Sequence, residues 1–348
     1  MNENLYGVKM KLPLSFVFFF FPFAISFADA LPPDGLDEDE KAKQVTLYED
    51  GNPVFVYQYD LVQNPNVPKS DLRCLAGCYI HPLYGINGEV LTDNAPKDHY
   101  HHHGVFWTYP HVGVHEPDGK ITEYDLWQGN KPPLLRQYFV RWVERKENSF
   151  TAENGWYVGK PAEGKKIMKE FVKITVHPIQ TAATEGKSSP LRSRYIDIEL
   201  CWFPTDKPVS LRGAEGKSYG GLAVRLKPNK AKGQKEAVHD DINVITVPSG
   251  VAKSDLPDTP LPWTDYTSLF DGAEKRSGLA IFVPKDHPGF PQPPTWLTRY
   301  YGPLCVGYPG VKAKTYQPGE ELKLHYKIWI HDQPVSREQL AKAYEAAL

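Results

Sequence analysis

The chain has 348 residues, with 40 Lys+Arg against 42 Asp+Glu, a formal net charge of -2, 13% aromatic residues and 4 Cys. The even charge balance leaves no electrostatic footprint for nucleic acid, and the aromatic content is too high for a disordered chain. Four Cys cannot staple so long a chain into a small secreted disulfide scaffold, which leaves a sizeable globular protein.

Residues 1–30 open the chain with a targeting pattern. Lys9 and Lys11 precede an apolar run over residues 12–27, and Ser26-Phe27-Ala28 and Ala28-Asp29-Ala30 offer small-residue cleavage sites. The combination reads as a secretory signal peptide. A transmembrane anchor is the weaker alternative, because the run falls short of the roughly 20 apolar residues that span a bilayer. Pro13 and Pro22 also interrupt it. No other stretch approaches that length, so the expected mature protein is exported, periplasmic or extracellular, with no membrane span. Seven of the 16 Phe lie in this segment, so its removal shifts the aromatic content towards Tyr and Trp. An oxidising compartment would allow Cys74, Cys78, Cys201 and Cys305 to pair, in three connectivities, with buried free thiols as the open alternative.

Residues 31–43 are polar and turn-rich and read as a flexible leader. From 44 to 348 the pattern is that of one β-sandwich domain. Val45 to Tyr48 and Val54 to Tyr59 flank the turn Asp50-Gly51-Asn52-Pro53, as in a hairpin. Period-two alternation then recurs over residues 170–176, 195–202 and 321–332, with a continuous apolar run over 277–283. In the second of these Ile196, Ile198, Leu200 and Trp202 form the apolar face. In the third, Leu322, Leu324, Tyr326, Ile328 and Ile330 oppose a wet face of Lys323, His325, Lys327, Trp329 and His331. Alternation of this kind suits antiparallel sheets. Segments 158–166, 184–190, 227–238, 248–262 and 285–294 read as loops. One helix is expected at the end, with Ser336 as N-cap, Gln339 completing a capping box and Leu340, Ala343, Tyr344 and Ala347 on one face. The chain lacks a Gly-rich phosphate loop, a nucleophile elbow and a fixed repeat, which sets aside nucleotide-binding, α/β-hydrolase and propeller architectures.

Six of the 12 His fall between residues 99 and 115. In an extended segment His99, His101 and His103 would share one face and His102 the other. Such a cluster suits acid-base or hydrogen-bonding work on sugar hydroxyls, or a divalent metal such as copper or zinc held with His111, His115 or Asp125. Satisfied structural polar groups are the third option. Aromatic rings beside polar groups follow: Trp107, Trp127 beside Asp125, Tyr219, Trp263 near Asp265, and Trp296 with Arg299. Rings stack on apolar sugar faces while charged and polar groups bond hydroxyls.

Several motifs come in a recognisable order: Tyr79-Ile80-His81-Pro82, Gly88-Glu89-Val90-Leu91, Lys97-Asp98-His99-Tyr100-His101-His102-His103-Gly104, Asp125-Leu126-Trp127, Tyr219-Gly220-Gly221-Leu222, Trp263-Thr264-Asp265-Tyr266 and Trp296-Leu297-Thr298-Arg299-Tyr300-Tyr301-Gly302. This set resembles the exported bacterial family carried under the name "methane oxygenase PmoA", also treated as a domain of unknown function. The resemblance covers nearly all of residues 45–333, and His103 stands where that family commonly has Arg. It implies an antiparallel β-sandwich akin to the galactose-mutarotase supersandwich. The oxygenase name fits poorly with a mature chain that has no apolar span.

The resulting expectation is an all-β, exported, carbohydrate-active protein acting on a saccharide or small-molecule ligand, without nucleic acid. His99, His101, His102, His103, Asp125 and Asp265 are the expected acid-base groups of an epimerase, lyase or hydrolase. Trp107, Trp127, Tyr219, Trp296 and Arg299 are the expected substrate contacts. A non-catalytic carbohydrate-binding protein and a His-ligated metal protein are the alternatives.

Overall fold

A computed structural model describes residues 34–183 and 189–348. The signal-peptide reading of residues 1–30 lies outside the described residues, as does most of the 184–190 loop. The alternating segments resolve into antiparallel sheets. From edge to edge the first, nine-stranded sheet runs Gly35–Asp39, Gln44–Glu49, Asn52–Gln58, Tyr79–Leu83, Val105–Thr108, Gly221–Arg225, Pro303–Gly307, Thr295–Thr298 and Leu256–Pro260. A second, ten-stranded sheet is built around the long strands Lys165–Val176, Leu191–Pro204 and Leu322–His331. In it Ile174 pairs with Ile198, and Ile198 with Tyr326. A four-stranded sheet containing His111–His115 and Val209–Arg212 packs into the same core.

The inner faces carry the alternating residues expected of them. Ile196, Ile198, Leu200, Trp202, Leu324, Tyr326 and Ile328 meet Phe55, Tyr57 and Trp107 of the first sheet in one apolar cluster. Each such side chain, fully buried, contributes about 1.5–3 kcal/mol, which is what holds the two sheets face to face. Tyr57 and Phe150 mark the contact between them, with ring centroids 4.9 Å apart. One charged residue shares this interior. Glu170 is fully buried, and its carboxylate accepts hydrogen bonds from Trp202 Nε1 (2.7 Å), Asn154 Nδ2 (2.8 Å), Trp156 Nε1 (2.9 Å) and Gln137 Nε2 (3.0 Å). Four neutral donors supply the solvation that water would otherwise provide.

Three expectations need correction. The leader reading of residues 31–43 fails where the structure describes them, because Gly35–Asp39 pairs with Gln44–Glu49 as an edge strand. Its acidic residues are what a solvent-facing edge carries. The 248–262 loop includes the short strands Gly250–Ala252 and Leu256–Pro260. The expected wet face of Leu322–His331 is wet only in part, since Trp329 and His331 are buried. The reason is the C-terminal helix Arg337–Ala346. Ser336 caps it in a reciprocal box with Gln339, as the spacing predicts, and Leu340 and Tyr344 pack on Trp263, Phe282 and Trp329 on the outer face of the second sheet. Among the described residues no helix is long and apolar enough to cross a membrane.

Candidate functional site

Among the described residues no such helix covers the outer face of the nine-stranded sheet, yet that face is apolar at its centre. Phe106 pairs with Ala223, Ala223 with Cys305 and Cys305 with Leu297, so four side chains stand in register across four strands. With Tyr79, Trp127 and Tyr219 they make a second apolar cluster separate from the core. Strand parity decides which aromatic residues reach it. Phe106 faces out, so its neighbour Trp107 faces in and stacks on Tyr57. Leu297 faces out, so Trp296 is buried in the core, donating through Nε1 to Leu261 O at 2.7 Å. Trp107 and Trp296 are therefore core residues, not substrate platforms.

Over this floor lies the loop that carries the His residues. It is turned, not extended: His99 N bonds Pro96 O (2.8 Å), His102 N bonds His99 O (2.9 Å) and Ala95 N bonds His102 O (2.7 Å). The turn closes three residues on and brings His99 against His102, with rings stacked at 4.5 Å and 16°. His101 meets His102 edge-on at 4.6 Å. The cluster is thus His99, His101 and His102. His103 points elsewhere, stacking on Tyr79 at 4.5 Å with Nδ1 bonded to Asn94 Oδ1 at 2.8 Å.

Burial keeps these imidazoles uncharged. The His101 ring is pushed down to about 3 by burial, then by its neighbours His99, Arg73 and Arg225. Burial also brings His103 to about 3 and His102 well below the ordinary range. Nδ1 of His101 and Nδ1 of His102 are buried without a hydrogen-bond partner. His99 differs: its Nδ1 lies 2.8 Å from Asp98 Oδ2, which leaves Nε2 as the free ring position. Burial raises the Asp98 carboxyl, but the hydrogen bond to His99 and the charge of Arg225 outweigh it and hold the group below the usual carboxylate range.

A cleft of about 150 Å³ opens beside the cluster, lined among others by His99, His101, Trp127, Tyr219, Arg299 and Tyr301. Trp127 is only 5% exposed, wedged against Tyr219 (4.5 Å) and Phe106 (5.1 Å), so it forms a wall rather than an open platform. Tyr219 stands over the floor because the next residues run close to the neighbouring strand. A Cβ at Gly221, where φ is +124°, would lie 2.8 Å from Val306 O. Arg299 reaches the cleft with Nη1 tied to Asp255 at 2.9 Å.

The two carboxylates expected to act with the His residues do not line this cleft. Asp125 Oδ1 accepts from Gln128 N at 2.7 Å, fixing the turn that presents Trp127 and Gln128. Burial raises its carboxyl. Asp265 lies on the other sheet, fully buried against His331 Nε2 at 2.8 Å. His111 and His115 lie on a strand of the four-stranded sheet, His111 facing Glu123. Among the described residues no group of three His, Cys, Asp or Glu side chains is placed to hold a metal ion. The stacked pair shows why: imidazole lone pairs lie in the ring plane, and parallel planes 4.5 Å apart do not converge on one point. All four Cys are free thiols, with Cys305 buried in the cleft floor.

Sequence reasoning missed Asp98, Tyr301 and Arg225. Asp98 adjoins His99 in the chain, and its pairing could have been guessed. Arg225 is the one charge in the apolar run 221–226, a signal that a strand face meets something polar. Its guanidinium lies 4.7 Å over the Tyr301 ring, and Tyr301 stacks on His99 at 5.3 Å.

The model of the family of unknown function DUF6807 matches residues 44–345, and the chain belongs to that family. No curated protein matches the sequence.

Proposed function

We propose that this chain is an exported carbohydrate-active enzyme that moves a proton at a sugar carbon within the cleft over the nine-stranded sheet. The observation that carries the proposal is the Asp98–His99 pair beside a hollow walled by Trp127, Tyr219 and Tyr301. Asp98 accepts from Nδ1–H and orients the ring, so Nε2 is free to take a proton as general base. His101 and His102, kept neutral by burial, hold N–H groups that stabilise a developing oxyanion without adding a charge of their own. The aromatic walls shield apolar sugar faces from water. Among the described residues no carboxylate lines the cleft. Epimerisation or elimination, each of which begins with one base removing a proton, therefore fits better than hydrolysis by a carboxylate pair. Export rests on the charged and apolar pattern of residues 1–30. The oxygenase label suggested by the motif order plays no part in the proposal.

The test is a panel of neutral and acidic oligosaccharides followed by NMR for binding and turnover. His99→Ala should retain binding and lose turnover by about 10²–10⁴-fold, the contribution of a positioned general base. Unchanged turnover in His99→Ala would remove the base from the mechanism. Binding without any turnover in the wild type would make the protein a carbohydrate-binding module.

A further inference from the structure

The charges around the cleft point to one class of saccharide. Lys217 and Arg299 both line it, and among the described residues no acidic side chain does. Arg299 shares its charge with Asp255, whereas Lys217 is exposed and has no ion-pair partner among the described residues. Behind the Tyr301 wall, Arg225 is 5% exposed. Its Nε and Nη1 lack hydrogen-bond partners, and the nearest carboxylate oxygen, on Asp98, is 3.7 Å from Nη2. A buried guanidinium so poorly compensated projects positive potential through the Arg225–Tyr301–His99 stack into the cleft. Neutral sugars gain little from such a field.

We infer that the substrate is an acidic saccharide, a uronate whose carboxylate faces Lys217 and Arg299 while the adjoining carbon faces His99. This assignment rests on the acid-base reading of the cleft. The cations do chemical work in it. The C–H bond beside the carboxylate breaks, its proton passes to His99 Nε2, and its electron pair moves into the carboxylate to give a dianion that Lys217 and Arg299 stabilise. Protonation by water on the opposite face, with His99 releasing its proton to solvent, gives the epimer. Alternatively the electron pair forms a carbon–carbon double bond as the β-oxygen leaves with its own bonding pair and takes up a proton. Both routes balance without an oxidant or a cofactor.

Trigalacturonate and the neutral trisaccharide of galactose, of equal length, provide the test by calorimetric titration of the full-length protein at low and at high salt. The acidic sugar should bind at least about tenfold more tightly, as expected for a charge-assisted contact, and lose that margin as salt rises. Lys217→Gln should reduce uronate affinity about tenfold and leave the neutral sugar unaffected. In D2O the wild type should also exchange the proton next to the carboxylate, and His99→Ala should not. Equal or tighter binding of the neutral sugar would overturn the uronate assignment while keeping the carbohydrate reading. Failure of both sugars to bind would overturn the two together.

Discussion

The Asp265–His331 pair on one outer face of this sandwich and the Asp98–His99 pair on the other differ in what surrounds them. Asp265 and His331 lie on the second sheet at 1% and 0% exposure, and each polar atom of the pair is used. His331 Nε2 meets Asp265 Oδ1 at 2.8 Å, His331 Nδ1 meets Gln333 O at 2.8 Å, and Thr267 donates to Asp265 Oδ2 at 3.0 Å. The C-terminal helix closes the neighbouring aromatic cluster. Asp98 and His99 lie over the first sheet on an open loop, with Asp98 45% exposed and the cleft alongside. Two of their His neighbours have ring nitrogens without partners. A pair whose hydrogen bonds are complete holds the fold together. A pair next to unmet donors and acceptors in a cleft has capacity left for a ligand.

The sharpest way to break this contrast is to remove each carboxylate. Asp265→Ala should cost about 3–5 kcal/mol in urea unfolding, because it strands His331 in the interior. Asp98→Ala, at a half-exposed pair, should cost no more than about 1 kcal/mol and show its main effect on turnover. Equal stability losses would show that the Asp98 pair is structural too.

Next comes the cover itself. Leu340 is fully buried on Trp263, Phe282 and Trp329, and Leu340→Ala should lower stability by about 2–4 kcal/mol through lost burial and the cavity left behind. Saccharide binding at the opposite face should not change. Loss of binding in this variant would mean that the faces are coupled.

A third effect is in pH. The His101 and His103 rings are held down to about 3 in the folded protein, against about 6.5 for a free imidazole. Between those limits the unfolded chain binds more protons than the folded one, so stability rises with pH. Their contribution is complete above about pH 6.5 and lost progressively as the pH falls towards 3. Each ring adds a slope of up to about 1.4 kcal/mol per pH unit. Melting temperatures measured from pH 4.5 to 7.5 should fall steeply on the acid side, and His101→Gln should flatten that limb. An unchanged slope would mean that His101 is not held neutral by burial.

How much of this was legible beforehand depended on whether the signal was local. The hairpin after Gln44, the apolar faces of Leu191–Pro204 and Leu322–His331 and the capping box at Ser336 all follow from side-chain period and terminal hydrogen bonding, which neighbours in the chain fix among themselves. The His run was legible as a feature, but its geometry was not. Extended, it would have grouped His99 with His101 and His103; the turn closed by His102 N and His99 O groups it with His101 and His102 instead. Trp107 and Trp296 were visible as aromatic residues of the right kind. Their facing is set by a parity that only pairing with Leu222 and Val306 reveals.

Composition and period alone therefore determined an all-β chain with a C-terminal helix and a His-rich segment, because both are sums over neighbouring residues. Tertiary structure alone decided which outer face is closed and which carboxylate stands beside an imidazole. Asp265 and His331 are 66 positions apart, yet they meet across an intervening strand. Arg225 comes under Tyr301 only through the strand order of the first sheet. Such contacts depend on how strands are ordered across a sheet, and no run of adjacent residues encodes that order.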